Sequence, residues 1–199
     1  SKSFGGAGSD EGNGVATNNA NEIIVTGRFT GTDVDFDPGT GTANLSSNGN
    51  TDVYLAKYSN DGVYQWAKSF GGTGFDTGTF VRVNSKSEIV VIGLFKGTDV
   101  DFDPGTGTNN LSSKGNSDIF VTQFDNDGTY KSTFALGTTF DEEVTGVTYD
   151  ALGTITITST FAETINLNPS SGTNNFTPAG TVDFFIAKYG LPEINVKAG

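Results

Sequence analysis

An all-β fold made of tandem repeats is what this sequence predicts, and three observations carry the prediction. First, the stretch Gly31-Thr-Asp-Val-Asp-Phe-Asp-Pro-Gly-Thr-Gly-Thr42 returns letter for letter as Gly97–Thr108, sixty-six positions later. A third, altered version runs Thr164-Ile-Asn-Leu-Asn-Pro-Ser-Ser-Gly-Thr173. A period of this size is the mark of repeat architectures. Second, glycine is abundant (28 residues) and Thr, Val, Ile, Phe and Asn are frequent, a balance that favours strands joined by tight turns. Third, short β-branched runs recur in the same order around each copy of the long motif.

The elements follow from aligning the copies. A short first strand is expected around Gly14–Asn18, with Val15 matching Val81 and Val147. The second, Glu22–Phe29, carries Ile23-Ile-Val-Thr-Gly-Arg-Phe29, against Ile89–Phe95 and Ile155–Phe161. The third, Asp52–Tyr58, matches Asp118–Phe124 and Asp183–Tyr189. An Asp-Gly turn at 61–62 then feeds a fourth strand, Val63–Phe70, through a predicted two-residue hairpin that uses positive φ angles. Four antiparallel strands per repeat make the blade of a β-propeller. The expected fold class is therefore all-β, with three tandem four-stranded propeller-type blades of about 66 residues, either open or part of a larger or oligomeric ring. The repeats run approximately 3–68, 69–134 and 135–190.

Alternation along the second strand predicts how the blades stack. In the middle repeat Ile89, Val91 and Phe95 point one way and Val90, Ile92 and Leu94 the other, so both faces are apolar. The second face carries Thr26 and Arg28 in the first repeat and Thr156, Thr158 and Thr160 in the third, which predicts a middle blade better buried than its neighbours. The phase is shifted by one strand: Lys2-Ser-Phe4 matches the end of a fourth strand, while the third repeat reaches Tyr189-Gly190 without one. Three blades fall short of the usual ring of about four to eight. The tail 191–199 breaks the repeat at Pro192 and reads as a linker or the first strand of a following domain.

Composition excludes several classes of function. The net charge is −12 and no basic run exists, which argues against nucleic acid and anionic membrane as partners. No apolar run approaches the roughly 18 residues needed to span a bilayer. With no His and no Cys there is no Ser/His/Asp or Cys/His catalysis and no thiolate metal site.

The acids offer the remaining chemistry. Asp33, Asp35 and Asp37 alternate with Val34 and Phe36, so an extended chain sends all three carboxylates to one side; Asp99, Asp101 and Asp103 repeat the arrangement. A hard, oxygen-seeking Ca²⁺ would relieve their repulsion. The competing reading makes Val34 and Phe36 the anchors of a connector whose acids face solvent, with Pro38-Gly39 turning the chain. Asp125-Asn-Asp-Gly128 reads as a hairpin turn. Asp52, Asp118 and Asp183 precede the third strand of every repeat and are expected to bond main-chain N–H groups between blades. Trp66, Tyr54, Tyr58 and Tyr64 would suit sugar stacking, but aromatic recurrence at the Tyr54 and Tyr58 positions points to core. A carboxylate pair for glycoside hydrolysis is not singled out by any spacing.

Three stretches, Trp66-Ala-Lys-Ser-Phe-Gly-Gly72, Asp33-Val-Asp-Phe-Asp-Pro-Gly39 and Asp52-Val-Tyr-Leu-Ala-Lys57, resemble the SBBP-type β-propeller repeat of large secreted or surface-attached bacterial proteins, notably of the Bacteroidetes. The resemblance covers nearly residues 1–190, and the tail resembles the opening of an Ig-like domain. The third repeat departs from the pattern, losing Trp, the double Gly and both central Asp. The resemblance implies an extracellular, non-enzymatic scaffold, stalk or adhesion module whose partners are other domains of its parent chain, other copies of itself, or a surface glycan or protein. The alternative is a carbohydrate-binding or carbohydrate-active propeller, with calcium stabilisation.

Overall fold

The structure is a computed structural model that describes residues 1–150, 153–170 and 172–190; the expected linker or following strand at 191–199 lies outside them. Among the described residues every regular element is a strand. The first repeat contributes β1 (Glu11–Thr17), β2 (Ile23–Phe29), the two-residue strands β3 (Val34–Asp35) and β4 (Asn44–Leu45), then β5 (Asp52–Tyr58) and β6 (Tyr64–Phe70). The second repeats the series as β7 (Thr77–Val83), β8 (Ile89–Phe95), β9 (Val100–Asp101), β10 (Asn110–Leu111), β11 (Asp118–Phe124) and β12 (Tyr130–Leu136). The third gives β13 (Glu143–Tyr149), β14 (Thr154–Phe161), β15 (Ile165–Asn166), β16 (Asn175–Phe176) and β17 (Asp183–Gly190).

These strands form antiparallel sheets ordered β1-β2-β5-β6, β7-β8-β11-β12 and β13-β14-β17, each with a two-stranded ribbon between its second and third strands. No sheet closes into a barrel among the described residues. Among the described residues the third sheet has three strands, in keeping with a third repeat that reaches Tyr189-Gly190 without a fourth. The Asp-Gly hairpin also differs from expectation. Its loop is longer than two residues: Gly62 N–H bonds Ser59 O at 2.9 Å, Ser59 N–H bonds Val63 O at 2.8 Å, and Gly62 alone takes positive φ, at 76°. That is a type I turn closed by a glycine bulge, and a separate register shift follows between Lys57 and Tyr58, where Gln65 is passed over.

The sheets pack face to face. One apolar cluster joins Ile24, Val53 and Leu55 of the first sheet to Ile89, Val91, Phe95, Phe120 and Phe124 of the second. Another joins Val90, Ile92, Ile119 and Val121 of the second to Ile155, Ile157, Phe185 and Tyr189 of the third. The alternation along β8 thus serves two neighbours, and six of its seven residues are buried, Leu94 being partly so. In the first repeat the more polar face of the second strand is the covered one. Thr26 is fully buried with its hydroxyl donating to Tyr54 O at 2.7 Å, and Arg28 lies 4.9 Å over the Phe75 ring while pairing with Glu11 at 2.5 Å. The face left open on the first sheet carries Ile23 and Val25, both half-buried.

The last residue of each repeat's final strand locks into the next sheet. Phe70, at the end of β6, sits 5.7–5.9 Å from the rings of Phe102, Phe120 and Phe124. Phe4 does the same for the first sheet, 5.4–6.2 Å from Phe36, Tyr54 and Tyr58.

Candidate functional site

The Asp rows lie on the ribbons. Val34 and Phe36 are buried, Asp33 is exposed, and Asp35 and Asp37 are half-buried. Asp35 Oδ1 accepts the N–H groups of Ala43 and Asp37 at 2.8 and 2.9 Å, and Asp37 Oδ1 accepts Gly39 N–H at 2.7 Å. These bonds, Ala43 foremost, hold the Asp35 carboxyl below its usual range. Asp101 and Asp103 repeat the pattern toward Asn109, Asp103 and Gly105 at 2.8–3.0 Å, and Asp99 matches Asp33 in its positive φ of 54° against 56°. In the third ribbon Asn166 and Asn168 accept the equivalent N–H groups of Asn174, Asn168 and Ser170 at 2.9–3.0 Å. An amide does this work as well as a carboxylate, so the turn needs an oxygen rather than a charge. Among the described residues no group of three or more acids, His or Cys gathers to hold a metal ion. Millimolar Ca²⁺ is therefore expected to leave the melting temperature unchanged; a rise reversed by chelator and lost in Asp35→Asn would assign the ion to these rows.

The less expected arrangement is a pair of buried carboxylates at each joint between sheets. Asp52 and Asp76 are both fully buried, and a methyl group on Gly71 would stand 2.9 Å from Asp52 Cγ and from Asp76 Oδ2. Only glycine fits there, at φ 151°. Asp76 ties its own repeat together, accepting Gly72 N–H at 2.7 Å and Lys96 N–H at 3.0 Å. Asp52 accepts Asn48 N–H at 3.1 Å through Oδ2, while its buried Oδ1 has no partner. Asp118 and Glu142 form the second pair, Asp118 accepting the N–H groups of Lys114 and Gly115 at 3.1 and 3.2 Å and Glu142 that of Thr138 at 2.9 Å. Asp52, Asp118 and Asp183 thus bond main-chain N–H groups as expected, but within their own loops rather than across the joint. Bonds that do cross here include Thr51 N–H to Gly74 O at 3.4 Å, Asp76 N–H to Thr51 O at 3.0 Å and the Thr51 hydroxyl to Asp76 O at 3.2 Å. Asp76 and Glu142 had a legible signal, their recurrence with Asp10 at a spacing of 66 residues.

Burial pushes these carboxyls up, Asp52 and Asp76 to about 6 and Glu142 to about 7, with the neighbouring Asp118 adding to the Glu142 shift. A raised carboxyl favours folding most where it is protonated in both states, below the usual value of 4.5, and its contribution is lost as pH rises through about 7. Glu142→Gln removes the charge and keeps an oxygen for Thr138. The variant is expected to melt a few degrees above the parent at pH 8 and level with it at pH 4; a constant offset at every pH would contradict the buried-pair reading.

The remaining candidates resolve into structure. Tyr54 and Tyr58 are buried, Tyr58 Oη donating to Phe36 O at 2.9 Å, so these two are core, while Trp66, whose ring lies against Gly128, and Tyr64 are half-buried. Asp125 and Asp127 both accept Thr129 N–H, at 2.9 and 3.0 Å, in a hairpin turn. At the surface two equivalent clefts of about 300 Å³ lie beside the ribbon tips. One is lined by Lys2, Ile23, Val25, Pro38, Tyr58 and Asn60, the other by Lys68, Asp103, Pro104, Asp127 and Tyr130. Among the described residues nothing covers the two outer faces of the stack. On the third sheet Phe184 is 75% exposed and Ile186 66%, whereas their counterparts Val53, Leu55, Ile119 and Val121 are sealed between sheets. On the first sheet Val15 is 65% exposed, where Val81 is fully buried.

The chain matches no protein-family model and no curated protein.

Proposed function

We propose that this chain is a non-catalytic interaction and scaffold module of a secreted or cell-surface bacterial protein, built of three consecutive propeller-type blades. Several features support the blade reading. Each sheet runs as a meander once the ribbon is set aside, and successive sheets pack face to face. Asn13 Nδ2 at the start of the first sheet donates to Thr77 Oγ1 and Gly78 O at 3.1 and 3.0 Å, and Arg82 Nε in β7 donates to Val147 O in β13 at 3.1 Å. The leading strands therefore sit side by side, as innermost strands do around a propeller axis.

The observation that carries the non-catalytic reading is where the reactive side chains end up. The paired acids are sealed at joints, the acids of the rows hold ribbon turns, and the aromatics fill the space between sheets. A module of this kind works through its surfaces, and its charge of −12 keeps it soluble. The test is a glycan array together with chromogenic glycoside and peptide substrates. Neither saturable binding nor turnover is expected; saturable glycan binding, or turnover lost on substituting one Asp, would move the chain to the carbohydrate-binding or carbohydrate-active class.

A further inference from the structure

We infer that the open face and edge of the third sheet take the first sheet of a second copy of this chain, head to tail, with residues 1–4 of that copy completing the third sheet as its missing strand. The inference rests on reading the three sheets as consecutive blades.

The repeat itself specifies the occupant. At each internal joint one sheet presents the face that holds Val53 and Leu55, or Ile119 and Val121, and the next presents the face that holds Val81, Ile89 and Val91, or Val147, Ile155 and Ile157; all are buried. Phe184 and Ile186 are the third sheet's version of the first set, and Val15, Ile23 and Val25 the first sheet's version of the second. Among the described residues the two outer faces are thus the two halves of a joint that the chain already makes twice. The threonines on the open face are no obstacle, since Thr158 stands where Thr26 is fully buried in the first joint. Lys188 stands where Lys57 reaches across that joint to Asn126 O at 3.1 Å; the corresponding acceptor on a second copy is the carbonyl of Asn60, at the rim of the open cleft.

The strand edge is complementary too. Phe4 occupies on the first sheet the place that Phe70 occupies on the second, so Lys2-Ser-Phe4 is held as the end of a final strand. Yet Ser1–Phe4 belongs to no sheet, while β17 has a neighbour on one side only among the described residues. Internally Phe70, Ser69 and Lys68 pair with Val53, Tyr54 and Leu55. The same register sets Phe4, Ser3 and Lys2 of a second copy against Phe184, Phe185 and Ile186. Such heterologous contacts close a ring when the rotation allows it. Two copies give six sheets, within the usual four to eight, and three would give nine.

The experiment is light scattering on the intact chain, with engineered thiols, which are unambiguous because the chain has no cysteine. The expected mass is twice 20.7 kDa. Oxidised Lys2→Cys/Ile186→Cys is expected to give a disulfide-linked dimer joining position 2 of one copy to 186 of the other, while Lys2→Cys/Lys188→Cys, off register, is not. Phe184→Asp/Ile186→Asp, at exposed positions, should be monomeric and folded, with the β8 amides still slow to exchange and a melting temperature equal to that of the parent diluted to its monomer. A monomeric parent chain would overturn the proposal, as would a dimer linked through 186 to 186. Hydrogen exchange on the same samples separates the two levels of failure. A monomer with slow β8 amides retains the stacked blades and loses only the partner, whereas fast β8 amides would reject the blades themselves.

Discussion

Phe70→Ala is expected to cost about 3–5 kcal/mol of folding stability, the range for removing a buried aromatic ring, and to lower the melting temperature by roughly 6–20 °C for a chain of this size. Phe70 belongs by sequence to the first sheet, where it pairs with Val53 at the end of β6. By packing it belongs to the second, among Phe102, Phe120 and Phe124. Its loss opens a cavity at the point where two repeats are locked together, and Phe95 is held in the same cluster with Phe102 at 5.1 Å, so the walls are too well packed to collapse inward. Phe4→Ala removes an equivalent ring at the open end, where Phe4 is itself only half-buried and its loss uncovers less, and is expected to cost less than half as much. Calorimetry or chemical unfolding checks the pair. Equal effects would mean that the joint between repeats contributes nothing special.

The second large effect is positional. Val25, Val91 and Ile157 hold the same place in the three repeats. Val91→Asp is expected to lose about 3–5 kcal/mol or to abolish folding, because a carboxylate there has neither water nor a cation in reach. Val25→Asp, on a half-buried face, is expected to keep the monomer folded with a loss of about 1 kcal/mol, the ordinary scale of a tolerated substitution. The contrast tests the stacking rather than the strands, since both substitutions leave hydrogen bonding within the sheet unchanged. In the proposed dimer Val25→Asp has a second consequence, separation into monomers.

Much of this architecture is written in the letters. The period of 66 residues places the long strands to within a few residues, and the bounds of Asp52–Tyr58 coincide with those expected. The double apolar alternation of β8 foretells two neighbours, and Val34 and Phe36 foretell the buried side of the ribbon. What the letters hide is direction. Thr26 and Arg28 look like a face turned to water, but a hydroxyl can donate to a carbonyl of its own sheet, and a guanidinium can lie on a ring of the next one. The hydrophobic pattern has no term for either. The covered face of the first sheet is therefore the one that looks more polar in the sequence.

The candidate site divides the same way. The regular spacing of Asp33, Asp35 and Asp37 suggests a metal, yet the hydrogen bonds that occupy Asp35 and Asp37 form only when the ribbon folds back at Ala43. The Asn residues of the third repeat were the readable clue, because they make the same bonds without charge. The buried pairs were harder to see. Asp52 and Asp76 are 24 positions apart and belong to different repeats, and nothing in the local sequence says that a glycine at 71 lets them approach. A recurring acid at Asp10, Asp76 and Glu142 signals a role without naming its partner.

The central claim is that three sheets stack in order, with the middle one covered on both sides. Native-state hydrogen exchange resolved along the chain tests it most directly. The β8 amides, Ile89–Phe95, are expected to exchange slowest and only through global unfolding; β14 should follow, and β17, with one bonded edge, should exchange faster. Exchange of β8 as fast as that of β17, or protection equal across all three sheets in a monomer, would contradict the stacked arrangement.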